Sequence, residues 1–265
     1  MKVMSFDELK SIQLDLLQKT ADFCDNNGLR YFLCGGTLLG AIRHKGYIPW
    51  DDDIDIAMPR PDYDRFMKSF NRPENYYQVV NLDNNADYAF AFAKVFDNRT
   101  ILKELHYPGS TFGVFIDVFP ADGVKEAAQI YKIQRLRKFL NTKKANYYKR
   151  TLSKKIINTF GKFLLLPFSA HQIAKKIDNE ARKYTFGSLP KAGIIVNPFG
   201  PGEMVDKSVF DSDVYREFEG REYRVPIGYD KWLRSIYGDY MQLPPVEQQV
   251  THHTFEAWWK DGFPK

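Results

Sequence analysis

The stretch CGGTLLGAIRHKGYIPWDDDIDIAMPR, residues 34–60, decides how the chain folds. It sets a glycine pair, Gly35 and Gly36, ahead of four aspartates, Asp51, Asp52, Asp53 and Asp55, crowded among apolar neighbours. "DDDIDIAMP" alternates carboxylate and isoleucine, the period of a β-strand, so Asp51, Asp53 and Asp55 are expected on one face and Ile54 and Ile56 on the other. Pro59 ends it. Upstream, "LRYFLCGG" reads as a short strand running into a glycine turn, and "TLLGAIRHKG" as a short helix from Thr37 to about Gly46. A strand, a glycine turn and a helix start make an anion site, because unpaired N–H groups and the helix dipole both face the turn.

On the N-terminal side, Ser5 with Glu8 three residues on has the form of a capping box, and Leu9, Ile12, Leu14, Leu16, Leu17, Ala21 and Phe23 follow helical spacing as far as Gly28. On the C-terminal side, "PDYDRFMKSF" resumes helical spacing, while "AFAKVFD" and "TFGVFIDVFP" read as strands, the second with a lone Asp117 among apolar residues. The alternation of helix and strand predicts an α/β or α+β core over residues 1–120. Residues 121–265, one compact unit with that core, are expected to be a mostly helical, basic elaboration facing substrate or membrane.

Net charge is +5 but unevenly spread: Lys125 to Lys183 holds sixteen Lys/Arg against three acids. Such a segment suits an anionic partner such as lipid headgroups, nucleic acid or polyphosphate. Its "IINTFGKFLLLPF" piece, residues 156–168, has the length of a buried helix or a segment lying in a membrane interface. The first 24 residues have scattered charges and no continuous apolar run, unlike a signal peptide, and no stretch is long and apolar enough to span a bilayer. Two cysteines, Cys24 and Cys34, are too few for a disulfide framework, which points to a reducing, cytoplasmic setting.

Three readings compete for the aspartates. A solvated turn leaves the Asp/Ile alternation and Asp117 unexplained. A calcium loop requires Gly at its sixth position and Glu at its twelfth, where this chain has Ile56 and Asp62. The third is a phosphoryl or nucleotidyl transfer site, in which two carboxylates on one strand and a third from a neighbour hold Mg²⁺ or Mn²⁺. Asp53, Asp55 and Asp117 are then the metal ligands, with the glycine turn cradling phosphates. Asp51 is either a further ligand or the group that takes a proton from an attacking hydroxyl.

A Gly-Gly turn, a strand with two aspartates at alternate positions and a later strand with one resemble the nucleotidyltransferase fold. The longer string GGTLLGAIRHKGYIPWDDDIDIAM resembles the signature of the LicD family within it. The resemblance extends over most of the chain, including "YDKWLRSIYGDYMQLPP" and the histidine pair after it. Members of that family transfer phosphocholine from CDP-choline to sugars of teichoic acid or lipopolysaccharide, and relatives with this motif use CDP-ribitol. The resemblance implies metal ligation by Asp53 and Asp55, a supporting or catalytic Asp51, and phosphate contacts from Gly35, Gly36 and Thr37. Arg43 fits either a surface salt bridge or a cation stabilising the leaving CMP, and His44 either packing or substrate contact. Lys94 reads as a snorkelling edge residue or a nucleotide contact. His253 is expected to face substrate rather than zinc.

The expected enzyme is a CDP-alcohol phosphotransferase, most plausibly for phosphocholine, acting on a lipid-linked glycan from the inner face of the plasma membrane. The alternatives are a nucleotidyltransferase that adds NMP to a small molecule or sugar phosphate, and a non-enzymatic lipid- or RNA-binding protein. No recognisable nucleic-acid module is present, so no nucleic-acid partner is expected.

Overall fold

Ser5 caps the first helix by accepting the Glu8 N–H at 3.2 Å, while the Glu8 carboxylate accepts the Ser5 N–H at 2.7 Å. This helix, α1 (Phe6–Asn26), buries Leu9, Ile12, Leu16, Leu17, Ala21 and Cys24. The computed structural model of the chain describes residues 3–71, 76–104, 112–144, 159, 162, 166–250 and 255–263. After α1 come β1 (Phe32–Leu33), α2 (Gly35–Arg43), β2 (Asp55–Pro59), α3 (Arg60–Ser69), β3 (Tyr77–Val80), β4 (Ala93–Asp97), β5 (Thr100–Glu104) and β6 (Phe115–Gly123).

The central sheet has the order β1-β2-β6-β4-β3. Its β2 and β6 are parallel, and the other neighbours in it are antiparallel. A parallel pair needs a long crossover, here the chain from α3 to β5. Val95, Ile116, Val118, Ile56 and Ala57 are fully buried in this sheet, as expected where both faces are covered.

The second half contains α4 (Ala127–Lys144), α5 (Ala170–Ala181), β7 (Lys191–Gly193), β8 (Val205–Asp206), β9 (Asp213–Phe218), β10 (Arg221–Pro226), α6 (Tyr229–Tyr237) and β11 (Phe255–Trp259). Helix outweighs strand there, yet the expectation of a mostly helical elaboration overlooks five strands that tie it to the core. Strand β7 extends the far end of β6, and β11 pairs with β5. Strand β6 itself runs through residue 120, where the sequence placed a boundary. Most of the "IINTFGKFLLLPF" segment lies outside the described residues. No helix among the described residues is long and apolar enough to cross a membrane. Both cysteines are buried free thiols.

One buried ion cluster clamps the halves together. Arg60, at the start of α3, donates to both Asp122 oxygens at 2.8 and 2.6 Å and to Asp178 of α5 at 2.9 Å. Arg182 closes the cluster on Asp178 and Asp64. Removing one member of a buried pair strands the other charge, so Arg60→Ala should cost about 3–5 kcal/mol. Urea unfolding of the variant tests this, and a loss under about 1 kcal/mol would show that the cluster behaves as an exposed one.

Candidate active site

The parallel register of β2 and β6 sets Asp55 directly beside Asp117, and the antiparallel register of β6 and β4 sets Asp117 beside Lys94. The Lys94 ammonium lies 2.6 Å from Asp117 Oδ1 and 3.3 Å from the centroid of the Phe115 ring. It is buried. Lys94 therefore does not snorkel at an edge; it is the internal counter-ion of a carboxylate in the sheet.

The other aspartates are not on the strand. Strand β2 begins at Asp55, and Asp51 sits in a turn whose N–H donates to the Ile48 carbonyl at 2.8 Å. Carboxylates at alternate strand positions stand roughly 7 Å apart along the backbone. The turn instead brings ligand oxygens of Asp51, Asp52 and Asp53 within 4.8 Å of one another, the tightest acidic grouping among the described residues. Gln13, on the buried face of α1, holds this turn by donating to the Asp52 carbonyl at 3.0 Å, and Tyr47 donates to Gln13 at 3.1 Å. The β9–β10 hairpin braces it from outside, since Glu219 accepts the Tyr47 N–H at 3.0 Å.

Helix α2 starts at Gly35, two residues earlier than the sequence suggested, and Gly35 has φ +54. A Cβ there would stand 2.9 Å from Asp55 Oδ2, and one on Gly36 would collide with Asp51 Oδ2. The glycine pair thus lets two carboxylates approach the positive end of α2. Thr37 is buried and accepts the Asp55 N–H at 2.8 Å. Thr37, one of the residues expected to touch phosphate, thus braces Asp55, and Gly35 leaves it room.

These carboxylates open into a cavity of about 990 Å³. Of the expected site residues, Gly36, Arg43, Asp51, Asp53, Asp55, Lys94 and Asp117 line it, whereas Gly35, Thr37 and His44 do not. Arg43 donates to the Tyr240 carbonyl at 2.7 Å and to His44 Nε2 at 2.9 Å, so it fastens the C-terminal wall. His44 caps α2, meets Trp50 edge-on and has its pKa lowered by burial and then by the Arg43 charge. His253 lies outside the described residues. The sequence reading did not single out Gln13, the wall formed by Tyr237, Asp239, Tyr240 and Gln242, or Arg137, Asn141 and Lys144 of α4. The α4 residues were detectable, because their spacing shares a helix face; the wall falls within YDKWLRSIYGDYMQLPP, a stretch that carries the resemblance without assigning these residues a role.

Burial, then the charge of Asp53 and a hydrogen bond to it, push the Asp51 carboxyl up to about 7. Burial, then the charges of Asp53, Asp117 and Asp51, push Asp55 well above the usual carboxylate range, with Lys94 opposing. Hard carboxylate oxygens crowded until they resist ionisation are the donor set that a divalent oxygen-seeking cation relieves. The residues present therefore fit Mg²⁺ or Mn²⁺, with Asp51, Asp53, Asp55 and Asp117 at hand.

A glycine pair opening a helix, an aspartate heading a strand and a second aspartate beside it on the parallel neighbour define a nucleotidyltransferase-type site. Residues 28–161 match the family described as LicD/FKTN/FKRP, nucleotidyltransferase domain. The chain is 36% identical to the lipopolysaccharide cholinephosphotransferase LicD of Haemophilus influenzae over 97% of its own length and 99% of that protein's. Over 31 residues, 12% of this chain and 6% of the other, it is 58% identical to the ribitol 5-phosphate transferase FKRP of Homo sapiens. An uncharacterized Rickettsia typhi protein, RT0683, is 40% identical over 23% of this chain and 20% of its own. The chain belongs to the LicD family of transferases.

The electrostatics give a pH signature. In metal-free buffer the folded state keeps a proton on Asp51 up to about pH 7, while the unfolded chain releases it near 3.8. The folded state binds the extra proton in between, so stability falls as pH rises through that window, by at most about 1.4 kcal/mol per pH unit for one group. Thermal unfolding in EDTA should show a falling melting temperature from about pH 5 to pH 7. Asp51→Asn should flatten the profile; an unchanged slope would mean that Asp51 is not the group responsible.

Proposed function

We propose that the protein transfers phosphocholine from CDP-choline to a sugar hydroxyl of lipopolysaccharide or a related cell-surface glycan such as teichoic acid, releasing CMP. The carboxylate basin against the Gly35–Gly36 turn carries this reading, supported by full-length similarity to a lipopolysaccharide cholinephosphotransferase.

In this reading the acceptor oxygen bonds to the phosphorus of the phosphocholine group, and the bond from that phosphorus to the CMP oxygen breaks, with CMP keeping the electron pair. Bound Mg²⁺ or Mn²⁺ supplies charge neutralisation at the phosphoryl oxygens. Asp51, whose carboxyl is pushed up to about 7, is ionised in part near neutrality, and in that ionised form it is suited to accept the proton of the attacking hydroxyl. Asp53 and Asp55 hold the metal, and Lys94 steadies Asp117. The backbone of Gly36 presents the start of α2 to the diphosphate. Trp50, Phe92, Phe119 and Tyr237 line the same cavity and offer aromatic surface to a trimethylammonium group.

A lipid-linked acceptor calls for contact with an anionic bilayer. The outward face of α4 supports this, with exposed Tyr131 and Phe139 among Arg135 and Lys138, a pairing of aromatic and cationic side chains suited to an interface.

Calorimetric titration with CDP-choline, CDP-ribitol, CDP-glycerol and CTP, with Mg²⁺ and with EDTA, tests the donor. The expected result is metal-dependent binding of CDP-choline, with Asp53→Asn and Asp55→Asn each lowering transfer about 10³-fold or more. Binding of CTP but of no CDP-alcohol would replace this reading with NMP transfer, in which pyrophosphate leaves. Co-sedimentation with anionic vesicles should be lost in high salt and in Arg135→Glu/Lys138→Glu; equal recovery on neutral vesicles would remove the membrane contact.

A further inference from the structure

Helix α4 contains six Lys/Arg and no acid, so it has no ion pairs of its own, and its cations must find partners elsewhere. Lys132 finds Glu180 of α5 at 2.6 Å. Arg137, Leu140, Asn141 and Lys144 follow the i, i+3, i+4, i+7 spacing of a single face, and all four line the cavity that holds the carboxylates. The basic segment is thus divided, one face of its first helix turned outward and another turned into the site.

We propose that this inner face, with Arg137, Asn141 and Lys144, is an anion subsite that receives a phosphate group of a substrate, separate from the carboxylate basin. Position and charge both support it. The Lys144 ammonium sits 3.2 Å from the centroid of the Phe90 ring, and the Lys94 ammonium 5.0 Å from the same centroid, so Lys144 brings α4 close to the reaction centre. Arg137 is oriented by its bond to the Pro198 carbonyl at 3.0 Å. Two cations with an amide between them match phosphate oxygens and repel a quaternary ammonium, so the choline end of a donor belongs elsewhere in the cavity. At about 990 Å³ the cavity reaches the upper end of small-molecule pockets, which leaves room for a second anionic group beyond the one at the aspartates.

The phosphate has two possible sources, the nucleotide and the acceptor glycan, and the experiment separates them. The full-length protein and its Arg137→Gln, Lys144→Gln and double variants are titrated with CMP and with inorganic phosphate in EDTA, after circular dichroism shows native spectra. The wild type should bind both probes without metal, more weakly as salt rises. The double variant should lose about tenfold or more, and Lys144→Arg should retain most of the affinity.

Transfer assays then read KM for CDP-choline and for glycan acceptor separately. A raised donor KM with weakened CMP binding assigns the subsite to the nucleotide. Unchanged CMP binding with a raised acceptor KM assigns it to a phosphate on the glycan. Unchanged probe binding with both KM values unchanged overturns the proposal. The identity of the substrates rests on the proposed transferase reading, but the probe titrations do not. If Asp53→Asn abolishes transfer while the α4 variants bind and turn over normally, the subsite fails and the transferase reading stands. If no transfer is found yet the α4 variants lose CMP and phosphate, the reverse holds.

Discussion

Two aspartates side by side on adjacent parallel strands, inside a buried and largely apolar sheet, form the arrangement on which the rest of the site depends. Asp55 and Asp117 are in register, and neither neighbouring strand can move without shifting every pairing in the sheet. Like charges in a medium of low polarity repel strongly and are poorly solvated. The surrounding structure counters this with specific partners. Lys94 places an ammonium on Asp117, Thr37 accepts the backbone N–H of Asp55, and the start of α2 directs its dipole at Asp55 and Asp51. What these partners leave uncompensated is visible in the raised proton affinities of Asp51 and Asp55. That residual repulsion is the feature a divalent cation would exploit.

The turn from Ile48 to Ile54 is the second requirement, because it draws ligand oxygens of Asp51, Asp52 and Asp53 within 4.8 Å of one another. It is held from three directions by elements remote in sequence. Gln13 secures it from α1, Glu219 from the β9–β10 hairpin, and the glycine pair opens space for it at α2. A polar side chain on the buried face of an amphipathic helix is costly unless bonded, and Gln13 is bonded to the loop that carries the chemistry. This makes α1, whose Gln13 lies 39 residues upstream of Asp52, part of the site's construction.

How much of this can be read from the sequence follows from the range of each interaction. The cap of α1, the glycine turn and the aspartates around it are local patterns, and the structure places them close to where the sequence does. The alternation in "DDDIDIAMP" is a true strand signal only from Asp55 onward; upstream of it a turn and the bond from Gln13 override the period. Lys94 was visible as a lysine in an apolar strand, but its pairing with Asp117 depends on a strand register that no local pattern encodes. The C-terminal wall is less legible still. Tyr240 reaches the site because Arg43 grips its carbonyl, and a carbonyl has no side-chain signature. The charge excess from Lys125 to Lys183 was plain, whereas its division into an outward and an inward face appears only when α4 is seen against the cavity.

That division changes what the charge asymmetry means. A uniformly basic surface would act mainly through its long-range field, drawing the protein toward any anionic partner and fading with salt. A basic helix that shares a cavity with six carboxylates does something more local. The cavity then has one wall that tolerates anions through its own cations and another that tolerates them only with a cation bound. A substrate with a single anionic group would choose between the walls according to metal supply. Under the proposed reading, a substrate pair carrying several phosphates would satisfy both walls at once, and only with a metal bound would that arrangement bring the reacting phosphate to the aspartates. Under the proposed reading, the opposed polarity of the walls would couple substrate orientation to metal occupancy, with one wall built on the β2–β6 pair and the Ile48–Ile54 turn and the other on α4.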